Sequence, residues 1–157
     1  MKAHLPRFIS LAILTLGLGA CSREPDMTLK DTNRSGFKVG QEWTYKARPG
    51  EEQSTFIVVK VEEAGGSGII VHISLKGLKV KNLKDPERPS GTISHMPFTE
   101  EALKRSVLRV VNEHATLPAF ESGYADWRRA FDSGRGGVFD ATVAESVGIV
   151  EDMANKP

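Results

Sequence analysis

The sequence predicts an α+β domain in which an antiparallel β-meander of about four strands is followed by two to three helices packed on one face. Three observations predict it. Apolar and polar residues alternate with period two between Trp43 and Leu75. Gly-, Pro- and Ser-rich turns punctuate that alternation. Beyond Pro97 the apolar spacing lengthens to three and four residues, preceded by helix-start signals.

The elements follow in order. Trp43, Tyr45 and Ala47 alternate with Glu42, Thr44 and Lys46, and Arg48-Pro49-Gly50-Glu51 has turn chemistry. A second strand sets Thr55, Ile57, Val59 and Val61 on one face against Phe56, Val58, Lys60 and Glu62 on the other. Ala64-Gly65-Gly66-Ser67-Gly68 is a hairpin loop into a third strand, where Ile69, Val71, Ile73 and Leu75 oppose Ile70, His72, Ser74 and Lys76. Leu78 to Leu83 continue as a fourth strand past a bulge at Gly77. Asp85 to Gly91 interrupt the pattern as a loop, and Thr92 to Met96 form a short strand.

Thr99 caps a helix whose first turn carries Glu100 and Glu101, with Phe98 and Leu103 spaced as a hydrophobic staple. Its expected apolar face is Leu103, Val107, Val110 and Val111. A second helix spans Ser122 to Asp132, with Tyr124, Trp127 and Phe131 on one side and Gly134 as its stop. Val138 to Ala141 read as a short strand. Thr142-Val143-Ala144-Glu145 then matches a capping box opening a last helix through Val147, Val150 and Met153.

Ahead of this domain the chain begins with Lys2 and Arg7, an apolar run from Phe8 to Leu18, and Leu18-Gly19-Ala20-Cys21. The apolar run is shorter than the roughly 20 residues a membrane-spanning helix needs. Residues 1–20 therefore read as a cleaved export signal. The segment Leu18-Gly19-Ala20-Cys21 resembles the bacterial lipobox. That resemblance implies diacylglycerol on the Cys21 sulfur, cleavage before Cys21, acylation (palmitate) of the new amine, and a lipid-anchored protein of the cell membrane or outer membrane facing the periplasm. Residues 21–36 then form the lipidated Cys and a flexible polar tether, and residues 37–157 a single domain.

Removing Lys2 and Arg7 with the signal leaves 19 basic residues against 20 acidic, a balance unlike the strongly basic footprint of a nucleic-acid binder. The chain holds one cysteine, which the lipid would consume, so the domain has no disulfide and no thiolate chemistry. His72, His95 and His114 lie on separate predicted elements without metal-ligand spacing, so neither a metal nor a cofactor is expected. His72 reads as a cross-strand or solvent contact and His114 as a helix C-terminal residue. Ser94 and His95 are adjacent in a strand and would point to opposite faces, which rules them out as a nucleophile–base pair. Gly134-Arg135-Gly136-Gly137 lacks the Lys-Ser/Thr of a phosphate loop, and the lysines at 76, 79, 81 and 84 suit an edge strand.

Val39 to Lys46, His95-Met96-Pro97-Phe98, Gly123 to Trp127 and Gly137-Val138-Phe139 resemble segments of a small family of uncharacterised bacterial proteins. The resemblance implies one integral domain and carries no activity. No catalytic residue is assigned. The candidate partner-binding residues are Arg48, Glu51 and Glu52 at a charged turn beside Trp43 and Tyr45. The expected role is a non-catalytic binding or accessory module of the cell envelope with an envelope protein as partner, its sharper form being an inhibitor or immunity lipoprotein against a secreted enzyme. The alternatives are an envelope hydrolase using a carboxylate pair and a structural accessory subunit of an envelope complex.

Overall fold

The computed structural model describes residues 28–65, 68–81 and 90–156. The expected signal, Cys21, the loop residues Gly66 and Ser67, the strand end at Asn82 and Leu83, and residues 85–89 of the expected loop lie outside them.

The fold is α+β. A six-stranded antiparallel sheet combines with three helices. In chain order the strands are β1 (Leu29–Asp31), β2 (Glu42–Tyr45), β3 (Thr55–Ala64), β4 (Gly68–Val80), β5 (Ser90–Thr99) and β6 (Val107–Asn112). The helices are α1 (Glu100–Ser106), α2 (Glu121–Asp132) and α3 (Val143–Ala154). The sheet runs β5-β4-β3-β2-β6, and β1 pairs with the far half of β3.

Several elements differ from the sequence expectation in extent; the short strand expected at Thr92–Met96, for one, is β5 over Ser90–Thr99. The strand expected from Leu78 is the end of β4, which continues through Gly77 at φ 77°. A Cβ there would come 3.1 Å from the Ser54 Cα, so glycine is required both by the backbone and by the close approach. At the other end of the chain, Leu29–Asp31 pair with Glu62–Ala64 and Ser35 is buried. The ordered domain thus starts well before Phe37, because β1 covers a stretch of the β3 edge that β2 leaves free.

A larger correction concerns Val107 to Val111. The helix capped by Thr99 forms as expected, with the Thr99 Oγ1 accepting from the Ala102 amide at 3.2 Å, and Phe98 and Leu103 are both fully buried. It ends at Ser106, however, and the chain turns directly into β6, setting Val110 opposite Trp43 and Val107 opposite Tyr45. Branched side chains favour the extended backbone, and β2 needs a partner along its second edge. The spacing of Leu103, Val107, Val110 and Val111 imitates a helix but serves a strand.

The helices also divide between the two faces of the sheet instead of sharing one. Phe56, Val58, Val61, Val71, Ile73, Leu75, Met96 and Phe98 point to one face, where they pack with Ala102 and Leu103 of α1 and Val143 and Val147 of α3. A bulge at Val59 switches the parity of β3, so Val58 and Val61 share that face. The opposite face carries Ala64 and Ile70, covered by α2 through Phe131 and Trp127. Gly134 stops α2 with φ 69°, and the Gly134 amide donates to the Phe131 carbonyl at 2.9 Å. Val138–Ala141 is not a strand but a coil with a single bridge at Phe139. The capping box of α3 forms as expected between Thr142 and Glu145. Val147 lies in the core and Val150 at its margin, whereas Met153 is exposed.

Candidate functional site

Under α2 the sheet presents polar residues in place of an apolar carpet. The bulge at Val59 sends Lys60 and Glu62 to the α2 face, beside His72 on β4. A second irregularity, between the Ile73–Met96 and Leu75–Ile93 pairs, leaves Ser94 and His95 together opposite Ser74. Both therefore lie toward α2 instead of on opposite faces: a Cβ on Gly123 would stand 2.8 Å from the His95 Cβ and 3.3 Å from the Ser94 Oγ. Gly123 lets the first turns of α2 approach that closely.

The result is a line of three titratable groups. The Glu62 Oε2 lies 3.0 Å from the His72 Nε2, in a contact too oblique for a well-formed hydrogen bond. The other ring nitrogen, His72 Nδ1, is 2.9 Å from the His95 Nε2, and the rings stack with centroids 5.1 Å apart. The Tyr124 hydroxyl donates to both Glu62 oxygens, at 2.9 and 3.0 Å. Lys60 lies 3.6 Å from Glu62, pairs with Asp31, and sits over the Tyr124 ring. Trp127 closes the cluster edge-on against His72 at 4.8 Å, while its Nε1 donates to the Gly137 carbonyl at 2.8 Å. Trp127 is thus packed on the sheet with part of its indole exposed.

Burial and charge oppose one another here. Burial pushes Glu62 up, but the close approach of the His72 ring nitrogen, the hydrogen bonds from Tyr124 and the Lys60 charge outweigh it and hold the carboxyl below its usual range. His72, at 0% exposure, is lowered by burial against the pull of Glu62. His95 is lowered to about 4, by burial first and by His72 second. At neutral pH the arrangement is therefore one carboxylate and two neutral imidazoles.

Glu62 stands on the far side of His72 from His95, and no group of three ligating side chains converges among the described residues. His114 follows the end of β6, not a helix, with its amide donating to the Asn112 Oδ1 at 2.9 Å.

The turn expected to meet a partner has a different construction. Glu51 is 4% exposed, accepting from the Arg48 Nη2 at 2.6 Å and Nε at 2.9 Å and from the Lys79 amide at 2.6 Å. Arg48 also donates to Glu151 of α3 at 2.5 Å, and that carboxylate accepts from the Lys81 amide. Hydrogen bonds to Glu51 and Glu151 raise the Arg48 guanidinium against burial, and Arg48 in turn lowers Glu51. Arg48 and Glu51 are committed within the protein, while Glu52 is exposed and accepts from the Gly50 amide. A shallow pocket lies between this turn, Lys79, Lys81 and Glu151. Cys21 lies outside the described residues.

The sequence reading missed the Glu62–His72–His95 line, since it required both bulges. Gly123, a glycine inside an otherwise regular helix, is the local sign that a backbone approaches closely there.

Comparison with known proteins finds no matching family model, no matching curated protein and no matching solved structure.

Proposed function

We propose that the chain is a lipid-anchored cell-envelope protein that acts by binding an envelope protein and not by turnover. The observation that supports this most is the coincidence of an export-signal pattern with Leu18-Gly19-Ala20-Cys21, the cysteine being the only one in the chain. The separation of Cys21 from Leu29 is eight residues (29 − 21), which limits an anchored domain to about 28 Å of reach. Among the described residues no helix is long and apolar enough to cross a membrane. An acid catalyst on a polymer would need a carboxyl held above its usual range. Among the described residues every carboxyl with a resolved shift is held below it, Glu62 and the Arg48-bound pair included. The exposed members of the charged turn, Glu52, Lys79 and Lys81, stand on a scaffold stiffened by Arg48, Glu51 and Glu151 and supply the contact surface.

The anchor is tested by metabolic labelling with palmitate and detergent-phase partitioning. Wild-type protein is expected to label and enter the detergent phase, and Cys21→Ser to do neither; an unlabelled wild type would overturn the anchor. The binding surface is tested by capture from envelope extracts. Reversing charge at Glu52 and Lys81 should slow association with a captured protein, mainly through loss of steering. Reversal of Arg48 would break the scaffold and report on folding instead. A second reading, a structural subunit of an envelope complex, is favoured by one observation: Leu108 is 61% exposed and Val111 is exposed as well on β6, the last strand of the sheet.

A further inference from the structure

The line of Glu62, His72 and His95 is not needed to make a sheet, and its geometry sets a limit on protonation. Two imidazole nitrogens 2.9 Å apart form a hydrogen bond only if one carries a proton and the other does not. With both rings neutral, the His95 Nε2–H donates to the His72 Nδ1, and the His72 Nε2–H faces Glu62. A first added proton can go to the far nitrogen of His95 without breaking this bond, but it charges a largely buried ring beside His72. A second must go to the His72 Nδ1, where two N–H groups would meet head on between stacked cations.

The groups around the rings do not relieve that conflict. From β3 they are Lys60 and Glu62, from β1 Asp31, and from α2 Tyr124 and Arg128. Lys60 is already paired with Asp31, Arg128 with Asp132, and Glu62 is the single carboxylate touching an imidazole among the described residues. The helix above is held by little else. Its apolar cluster has only Ala64, Ile70 and Phe131 fully buried, with Leu29, Trp127 and Val138 at the margin. Irregular chain flanks α2 on both sides, at 113–120 and 133–142.

We propose that the Glu62–His72–His95 line is an acid-operated latch that holds α2 on the sheet and releases it when both imidazoles become protonated. Release uncovers Ile70, Ala64 and the aromatic side of α2, while the larger core under α1 and α3, which contains no histidine, stays closed. The lowering of both histidines agrees in direction, since the docked state disfavours the charged rings. If His95 regains its ordinary value of 6.5 once α2 lifts, its proton alone makes the opening equilibrium at pH 4 exceed that at pH 7 on the order of a hundredfold, and protonation of His72 adds to this. The latch is independent of the anchoring proposal, which the Cys21→Ser experiment tests separately.

The test uses the full-length chain in detergent. Hydrogen exchange followed by mass spectrometry, corrected for intrinsic rates, is compared at pH 7 and pH 4 for residues 121–132 and 143–154. The latch predicts that protection falls by on the order of a hundredfold in α2 alone. The same comparison on His95→Gln, which keeps a donor but cannot take the proton, should show a fall of at most a few-fold. Should that variant prove poorly folded at pH 7, the wild-type histidine resonances decide: the latch requires His72 and His95 to titrate together with the loss of α2 protection. Equal losses in α2 and α3, an acid response in His95→Gln as large as in wild type, or titration of the histidines without loss of α2 protection would each overturn it.

Discussion

The two faces of the sheet use the same strands and opposite chemistry. One face is apolar from Phe56 to Phe98 and is sealed by α1 and α3, themselves joined where the Ser106 Oγ accepts from the Val143 amide at 3.0 Å. The other sets a buried carboxylate and imidazole, Glu62 and His72, beside the half-buried His95 and the Tyr124 hydroxyl of α2, next to the small apolar cluster of Ala64, Ile70 and Phe131. Apolar packing is indifferent to pH and tolerant of small motions. A polar line holds only while each member keeps its partner and its proton count. The domain thus combines a core that supplies most of its stability with a helix whose attachment is conditional.

The contrast can be broken most severely from the apolar side. Phe98→Ala empties the centre of the larger core, and should cost about 3–5 kcal/mol in urea unfolding followed by far-ultraviolet circular dichroism. Glu62→Gln removes the charge that faces His72 and one of the two oxygens that accept from Tyr124, and should cost about 1–3 kcal/mol. Its effect should appear in Trp127 fluorescence before it appears in the far ultraviolet, because α2 loosens first. Gly123→Ala sets a methyl group 2.8 Å from the His95 Cβ. The gain in helix propensity, about 1 kcal/mol, should be outweighed by crowding, for a net loss of about 1 kcal/mol confined to α2. Thr142→Ala deletes the cap of α3 and should cost about 1 kcal/mol, with α2 unaffected.

The pH dependence sharpens the same contrast. His95 is held at about 4 in the folded state against 6.5 unfolded, so between those values the unfolded chain binds more protons. Its contribution to stability is complete above about pH 6.5 and is lost as the pH falls toward 4. Thermal unfolding across that window should show a falling midpoint, reduced in His95→Gln.

Much of the apolar half was legible in the sequence. Thr99 with Glu100, and Thr142 with Glu145, announced their helices because caps are local chemistry, and Arg48-Pro49-Gly50-Glu51 announced its turn, with Gly50 at φ 84°. Local signals failed where pairing partners decide. Leu103, Val107, Val110 and Val111 fit a helical spacing, yet the unfilled edge of β2 draws Val107–Asn112 into the sheet. The alternation of β3 misassigned faces after Val59 because one bulged residue shifts every later side chain to the other face. His72 and His95 are 23 residues apart and meet only through the register of β4 on β5, so composition gave no sign of them as a pair. Arg48, Glu51 and Glu52 looked alike as turn charges; the separation of two internal partners from one exposed group came from α3, which supplies Glu151.

The central claim is that the two faces differ in local stability, with α2 the conditional element. Native-state hydrogen exchange at pH 7 under increasing sub-denaturing urea measures this directly. The account predicts that amides of 121–132 open at a free energy clearly below that of β4 and of α3, with little dependence on urea. If those α2 amides exchanged only with global unfolding, at the same free energy and urea dependence as β4, the division between the two faces would be contradicted.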